Sequence, residues 1–186
     1  GTIFGLDAGE STRVSGYHRM AIAPGLIAAA VLGRLLRGSP QALVSLSVAG
    51  CVASGLALGG LALATLMPQS WPVVANIVVF GFANGVFAGG AVASMYGLAS
   101  VGAAQREGTR LGAWGLAQAV GFGTGLFVGA GLLDAVRSTV GAPPAFASVF
   151  GVEGLLFLIA AALALKISRA SSLEGAPHPA SAPRAA

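Results

Sequence analysis

Apolar residues run along this chain in five long blocks, separated by short stretches that carry the charges, prolines and turn residues. The blocks cover 16–36, 42–67, 72–99, 111–133 and 145–165. Each reaches the roughly 20 residues that a helix needs to cross a bilayer. The second and third are longer than a span requires, which predicts tilt or a kink. Unbroken apolar runs of this length argue against a membrane β-barrel, whose strands alternate over about ten residues. The predicted fold is an all-α membrane protein with five transmembrane helices. In domain terms, 1–15 is a loop, 16–166 a helical bundle and 167–186 a disordered tail rich in Ala, Pro and Ser.

Composition sharpens this picture. Hydrophobic residues make up 55% of the 186 and charged residues 9%, with a mean hydropathy of +0.84. Soluble domains carry about 25% charged residues. A chain this poor in charge cannot cover a surface facing water, so its partner is the lipid bilayer. Gly1–Ser15 is no signal peptide, because it lacks a basic start followed by an apolar core. The odd number of spans and the abrupt start at Gly1 point to a piece of a longer chain.

Charge placement suggests an orientation. Arg34, Arg37, Arg106, Arg110, Lys166, Arg169 and Arg184 fall on one side if the chain threads back and forth. Arg13, Arg19 and Arg137 fall on the other. The richer side faces the cytoplasm by the positive-inside rule, with the C-terminus there. Trp71, in the turn over 67–72, fits an interfacial anchor. The net charge of +4 is scattered over loops. It forms no basic stripe with interleaved aromatics, so nucleic acid is not an expected partner.

Glycines recur in steps of four: Gly81, Gly85 and Gly89 in the third block, and Gly121, Gly125 and Gly129 in the fourth. Gly55 and Gly59 add a shorter pair. Each set lines one helix face, where backbones can approach closely. Such faces serve static packing or a sliding interface. No phosphate-binding GxxxxGK[ST] loop is present.

Polar residues inside the apolar blocks are the candidates for chemistry. Glu153 lies about 12 Å into the last block by helical rise. An acid near the bilayer centre costs roughly 2.5–3.5 kcal/mol on insertion scales. It must therefore face the bundle interior, be protonated, or pair with a cation. It reads as a proton, substrate or pigment-magnesium site, or as a hydrogen-bonded helix contact. His18, beside Arg19 at the start of the first block, can ligate a metal or sit as an interfacial polar group. Gln118, Asn76 and Asn84 can bond across helices or line a cavity. Trp114 and Tyr96 can contact a ring-shaped ligand or belong to an aromatic belt. Cys51 alone makes no disulfide or cysteine metal site and reads as a core residue. No Ser/His/Asp or Cys/His set and no carboxylate pair emerges, so neither an enzyme nor a protein-bound metal centre is expected.

Three stretches carry a resemblance: FGLDAGESTRVSG at 4–16, GTRLGAWGLAQA at 108–119 and FGVEGLLF at 150–157. Together they resemble the PucC-like family, the bacteriochlorophyll and light-harvesting branch of the major facilitator superfamily. The second is the most specific, since Gly108-Thr109-Arg110 followed by Gly-x-Trp-Gly-x-x-Gln-Ala looks like that family's penultimate helix. The resemblance implies that the five blocks are the last five of twelve helices, in an inner photosynthetic membrane. They would pack against a missing N-terminal half. The loop from Gly33 to Gly38 looks like a copy of the superfamily's cytoplasmic motif that lacks its acidic residue, so a gating role does not carry over. The implied function is assembly of light-harvesting antennae, with antenna polypeptides as partners and bacteriochlorophyll as the cofactor delivered or shielded. In that setting Glu153, His18, Gln118, Trp114 and Asn84 are the candidate pigment or substrate contacts. The competing readings are a small-molecule transporter of the same fold and a pigment-free scaffold.

Overall fold

The computed structural model describes residues 4–99 and 106–174. They form five helices: α1 (Ala8–Leu35), α2 (Pro40–Leu66), α3 (Val73–Ala99), α4 (Glu107–Val140) and α5 (Ala142–Glu174). Four of them, α2 to α5, are long and apolar enough to cross a membrane. The expectation was five. α1 falls outside the group because Glu10, Arg13, His18 and Arg19 crowd its first half, and Pro24 lies inside it. Pro24 also removes one backbone donor from the helical ladder.

Helix ends explain where the expected boundaries shift. The expected loop over 1–15 already turns helical at Ala8, because Asp7 and Glu10 form a reciprocal capping box. The Asp7 carboxylate accepts from the Glu10 amide at 2.7 Å, and Glu10 accepts from the Asp7 amide at 3.0 Å. At α2, Ser39 caps the Ala42 amide at 3.2 Å and Pro40 opens the helix. Only Gly141 separates α4 from α5, and its φ of 83° is a conformation that a side chain would strain. α5 continues through the start of the expected tail to Glu174. The rest of that tail, 175–186, lies outside the described residues.

The bundle is organised around α3, which packs on α1 and α2, while α2 also packs on α5. Along the α1–α3 seam, a Cβ on Gly25 would strike the Phe82 carbonyl oxygen and stand 2.9 Å from the Gly85 Cα. A Cβ on Gly85 would strike the Ile22 carbonyl oxygen, and one on Gly81 the His18 carbonyl oxygen. At Gly89 it would lie 2.7 Å from the Ala29 Cβ. Contacts advance together along both helices, so α1 and α3 run parallel. Ala21, Gly25 and Ala29, all buried, form the α1 side of this seam, while the buried Gly33 faces Leu43 of α2. Two small-residue faces at a spacing of four are thus pressed backbone to backbone.

The α2–α3 seam is antiparallel. Gly90 abuts the Ser47 amide near one end, and the Asn76 Nδ2 donates to the Ala57 carbonyl at 2.8 Å near the other. Between them Phe87 lies over Gly50, where a Cβ would meet the Phe87 Cβ at 2.8 Å. Phe87 also meets Phe157 of α5 edge-on, with centroids 6.0 Å apart. α2 and α5 touch through Gly55 and Gly154, each of whose Cβ positions lies 2.9 Å from the other's carbonyl oxygen. Leu58, 2% exposed, and the fully buried Ser54 mark the centre of α2's packed face.

α4 differs from the rest. It has 34 residues, roughly 51 Å at 1.5 Å per residue, yet none of them is buried. It touches α5 and α3 only lightly.

Thermal unfolding in detergent or lipid tests these seams. Gly85→Ala lowers stability by about 1–3 kcal/mol, because its new methyl meets backbone that cannot retreat. Gly59→Ala, where a Cβ meets nothing, is neutral or stabilising by up to about 1 kcal/mol from helix propensity. Asn76→Leu removes the bond to Ala57 and costs about 0.6 kcal/mol, up to about 1.7.

Candidate functional site

The polar residues picked out by sequence do not converge on one centre. His18 sits half-buried on α1, its ring tilted against Phe80 of α3 with centroids 5.0 Å apart. Its Nε2 is enclosed and has no hydrogen-bond partner among the described residues. In this packing the nitrogen cannot reach an external ligand. The adjacent open groove of about 470 Å³ is lined by Ser11, Thr12, Ser15, Gly16 and Arg19, and none of the candidate contacts opens into it.

Asn84 is half-buried on α3. Asn76 is used structurally by its bond to Ala57, and Trp71 lies over Gly60 with its ring 3.1 Å from a Cβ position there. Trp71 thus packs against the bundle at the α2–α3 turn. Cys51 is buried, as expected of a core thiol.

Glu153 stands apart from these. It lies on α5, roughly 16 Å by helical rise from Ala142, near the middle of the apolar stretch Ala142–Arg169. Its side chain is exposed and has no hydrogen bond or ion pair among the described residues. The Oε1 points at α4, 4.0 Å from where a Cβ on Gly129 would stand. An unpartnered acid at this depth carries the roughly 2.5–3.5 kcal/mol insertion cost with nothing to offset it. Phe146, Phe150 and Phe157 share its face of α5 by their spacing of three, four and seven. Phe146 and Phe150 lie 6.1 Å apart.

The α4 wall opposite is open. Gly121 and Gly125 have nothing within 4 Å of their Cβ positions, and Gly129 has only Glu153. This glycine face, expected to pack as Gly81, Gly85 and Gly89 do, meets no neighbouring helix backbone among the described residues. Among the described residues α4 packs lightly, on α5 and α3. Gln118 is exposed and Trp114 half-buried on the same helix. They precede Gly129 by roughly three and four turns. Around them Leu126 and Phe127 are 78% and 83% exposed.

Sequence reading missed the partners of these faces. Gly25, Gly50, Gly60 and Gly154 carry tight contacts that had not been singled out. One signal was available: Ala21, Gly25, Ala29 and Gly33 repeat in steps of four, matching Gly81, Gly85 and Gly89.

Tightly seamed apolar helices, four of them long and apolar enough to cross a membrane, define a helical membrane protein. The chain belongs to the PUCC protein family, whose family model matches residues 1–172. It is 39% identical over 165 residues to the bacteriochlorophyll synthase 44.5 kDa chain of Rhodobacter capsulatus. That alignment covers 88% of this chain and 38% of the relative, so the chain spans well under half of the relative's length. No solved structure is significantly similar to it.

Proposed function

We propose that this chain is the C-terminal part of a membrane assembly factor for bacterial light-harvesting antennae, which holds bacteriochlorophyll while antenna helices insert. Membership of the PUCC family and the relative named for bacteriochlorophyll support the pigment class. The observation that supports a pairing surface is α4, an apolar helix with no buried residue and an open glycine face, in a chain that spans 38% of its relative. Small residues on such a face allow a second helix, from a partner or from the rest of the same protein, to approach closely. Antenna polypeptides are the proposed occupants. Glu153, at the α4–α5 seam, supplies the polar contact, with Gln118 and Trp114 further along α4.

We further place the chain as the last five helices of a twelve-helix major facilitator fold. The 38% of the relative that it covers is close to the share that five helices hold in twelve. α1 then crosses the membrane within its bundle despite its charges, since its buried small residues already face α3. Arg34, Arg37, Arg106, Arg110, Lys166 and Arg169 gather at one end of the threaded helices, which supports a cytoplasmic C-terminus in the photosynthetic inner membrane. The role is non-catalytic in this reading. The polar groups His18, Cys51 and Glu153 sit on three different helices, and no metal-binding group of His, Cys, Asp or Glu occurs among the described residues.

The test uses the full-length protein in its phototrophic host. Gly125→Leu fills the open face without striking a neighbour, so the protein's abundance stays at the wild-type level while near-infrared antenna absorbance falls severalfold. Glu153→Gln combined with Gln118→Ala does the same. Normal antenna absorbance in both variants would refute the α4 face as the receiving surface.

A further inference from the structure

We propose that His18 is an acid-sensitive clasp on the α1–α3 seam: it holds the N-terminal half of α1 on α3 while its imidazole is neutral, and releases it when the ring takes a second proton. This does not rest on the pigment-handling reading. His18 stands where the two helices are pressed together. Its carbonyl oxygen is the atom that a Cβ on Gly81 would strike, and its ring lies against Phe80 with centroids 5.0 Å apart. Its Nε2 is enclosed by residues of this chain and has no hydrogen-bond partner among the described residues. Because that enclosure is complete within this chain, further helices of the full-length protein cannot bring an acceptor to it while the seam is closed.

A neutral imidazole tolerates this place. One of its nitrogens carries the proton and the other only a lone pair, so Nε2 need not be a donor. An imidazolium carries a proton on both nitrogens. Protonation therefore puts a charged donor in an enclosed spot without an acceptor, which burial penalises heavily. The surrounding charge adds to that cost. Arg19 follows directly in sequence, while Glu10, the nearest acid on α1, lies roughly 12 Å back along the helix and is engaged with the Asp7 amide. α1 packs on α3 and, lightly, on α2. Among titratable or charged groups α3 holds only Tyr96, roughly 24 Å beyond Phe80, and α2 only Cys51, beside the Gly50–Phe87 contact. No carboxylate on these helices faces the ring.

Opening the seam releases the ring to water, where histidine titrates near its ordinary value of about 6.5. The open form then binds the proton and the closed form does not, so opening grows as pH falls below that value. At about pH 5.5, one unit lower, the open population rises about tenfold. The other end of the seam, where Ala29 meets Gly89, holds no group that titrates in this range and does not respond.

Hydrogen exchange of the full-length protein in lipid nanodiscs, corrected for the intrinsic pH dependence of exchange, reads both ends of α1 at about pH 7.5 and about pH 5.5. In the wild type, amide protection around His18 falls about tenfold at the lower pH, while protection around Ala29 is unchanged. His18→Phe, which can stack on Phe80 and takes no proton, keeps its protection at both pH values. His18→Gln, also uncharged, does the same and serves if the phenyl ring disturbs the seam. Equal wild-type protection around His18 at both pH values would overturn the proposal, as would an acid-induced loss that persists in either folded variant.

Discussion

Backbone-to-backbone contact at small residues is the constraint on which the bundle depends. In lipid, apolar side chains gain nothing by meeting each other rather than acyl chains. What holds α1 to α3, α2 to α3 and α2 to α5 is close approach at Gly25 and Gly85, at Gly50 and Phe87, and at Gly55 and Gly154. At these points even one methyl would meet carbonyl or Cα atoms. Dispersion contacts too small to matter singly add up along three seams of this kind. The many large apolar side chains left exposed on α1, α2 and α3 are then the surface expected of a protein dissolved in hydrocarbon.

α4 inverts this arrangement. It carries the same glycine spacing as α3 and is longer, yet its glycines meet no helix backbone. The seams that secure the core leave one helix free on most of its circumference, and Glu153 points at that helix. Within this chain α1, α2, α3 and α5 are fixed to one another, and α4 is left for the rest of the protein or a partner to cover.

The legible part of the fold was the part written in period and composition. Blocks of apolar residues located all five helices, and the glycine steps at 81, 85 and 89 marked the face that α1 covers. Ends were less legible, because Asp7 and Glu10 start α1 eight residues before its apolar block begins. Hydropathy sees the span and misses the cap. The site was legible only as a set of residue types. Glu153 stood out by its cost, but nothing in one sequence shows that it faces Gly129 while the His18 Nε2 is shut against α3. Helix pairing decides both, and identical GxxxG spacing on α3 and α4 leads to opposite outcomes. The asymmetry comes from which neighbours each helix has within this chain.

An intramembrane acid beside an open apolar helix, in a family whose relative is named for bacteriochlorophyll, makes pigment handling the central claim. A near-infrared absorption spectrum of the tagged full-length protein, purified from its native membranes through size exclusion, tests it most directly. A bacteriochlorophyll band that travels with the protein is the predicted result. Protein that elutes free of pigment would contradict the claim and leave solute transport or a pigment-free scaffold to explain the open face of α4.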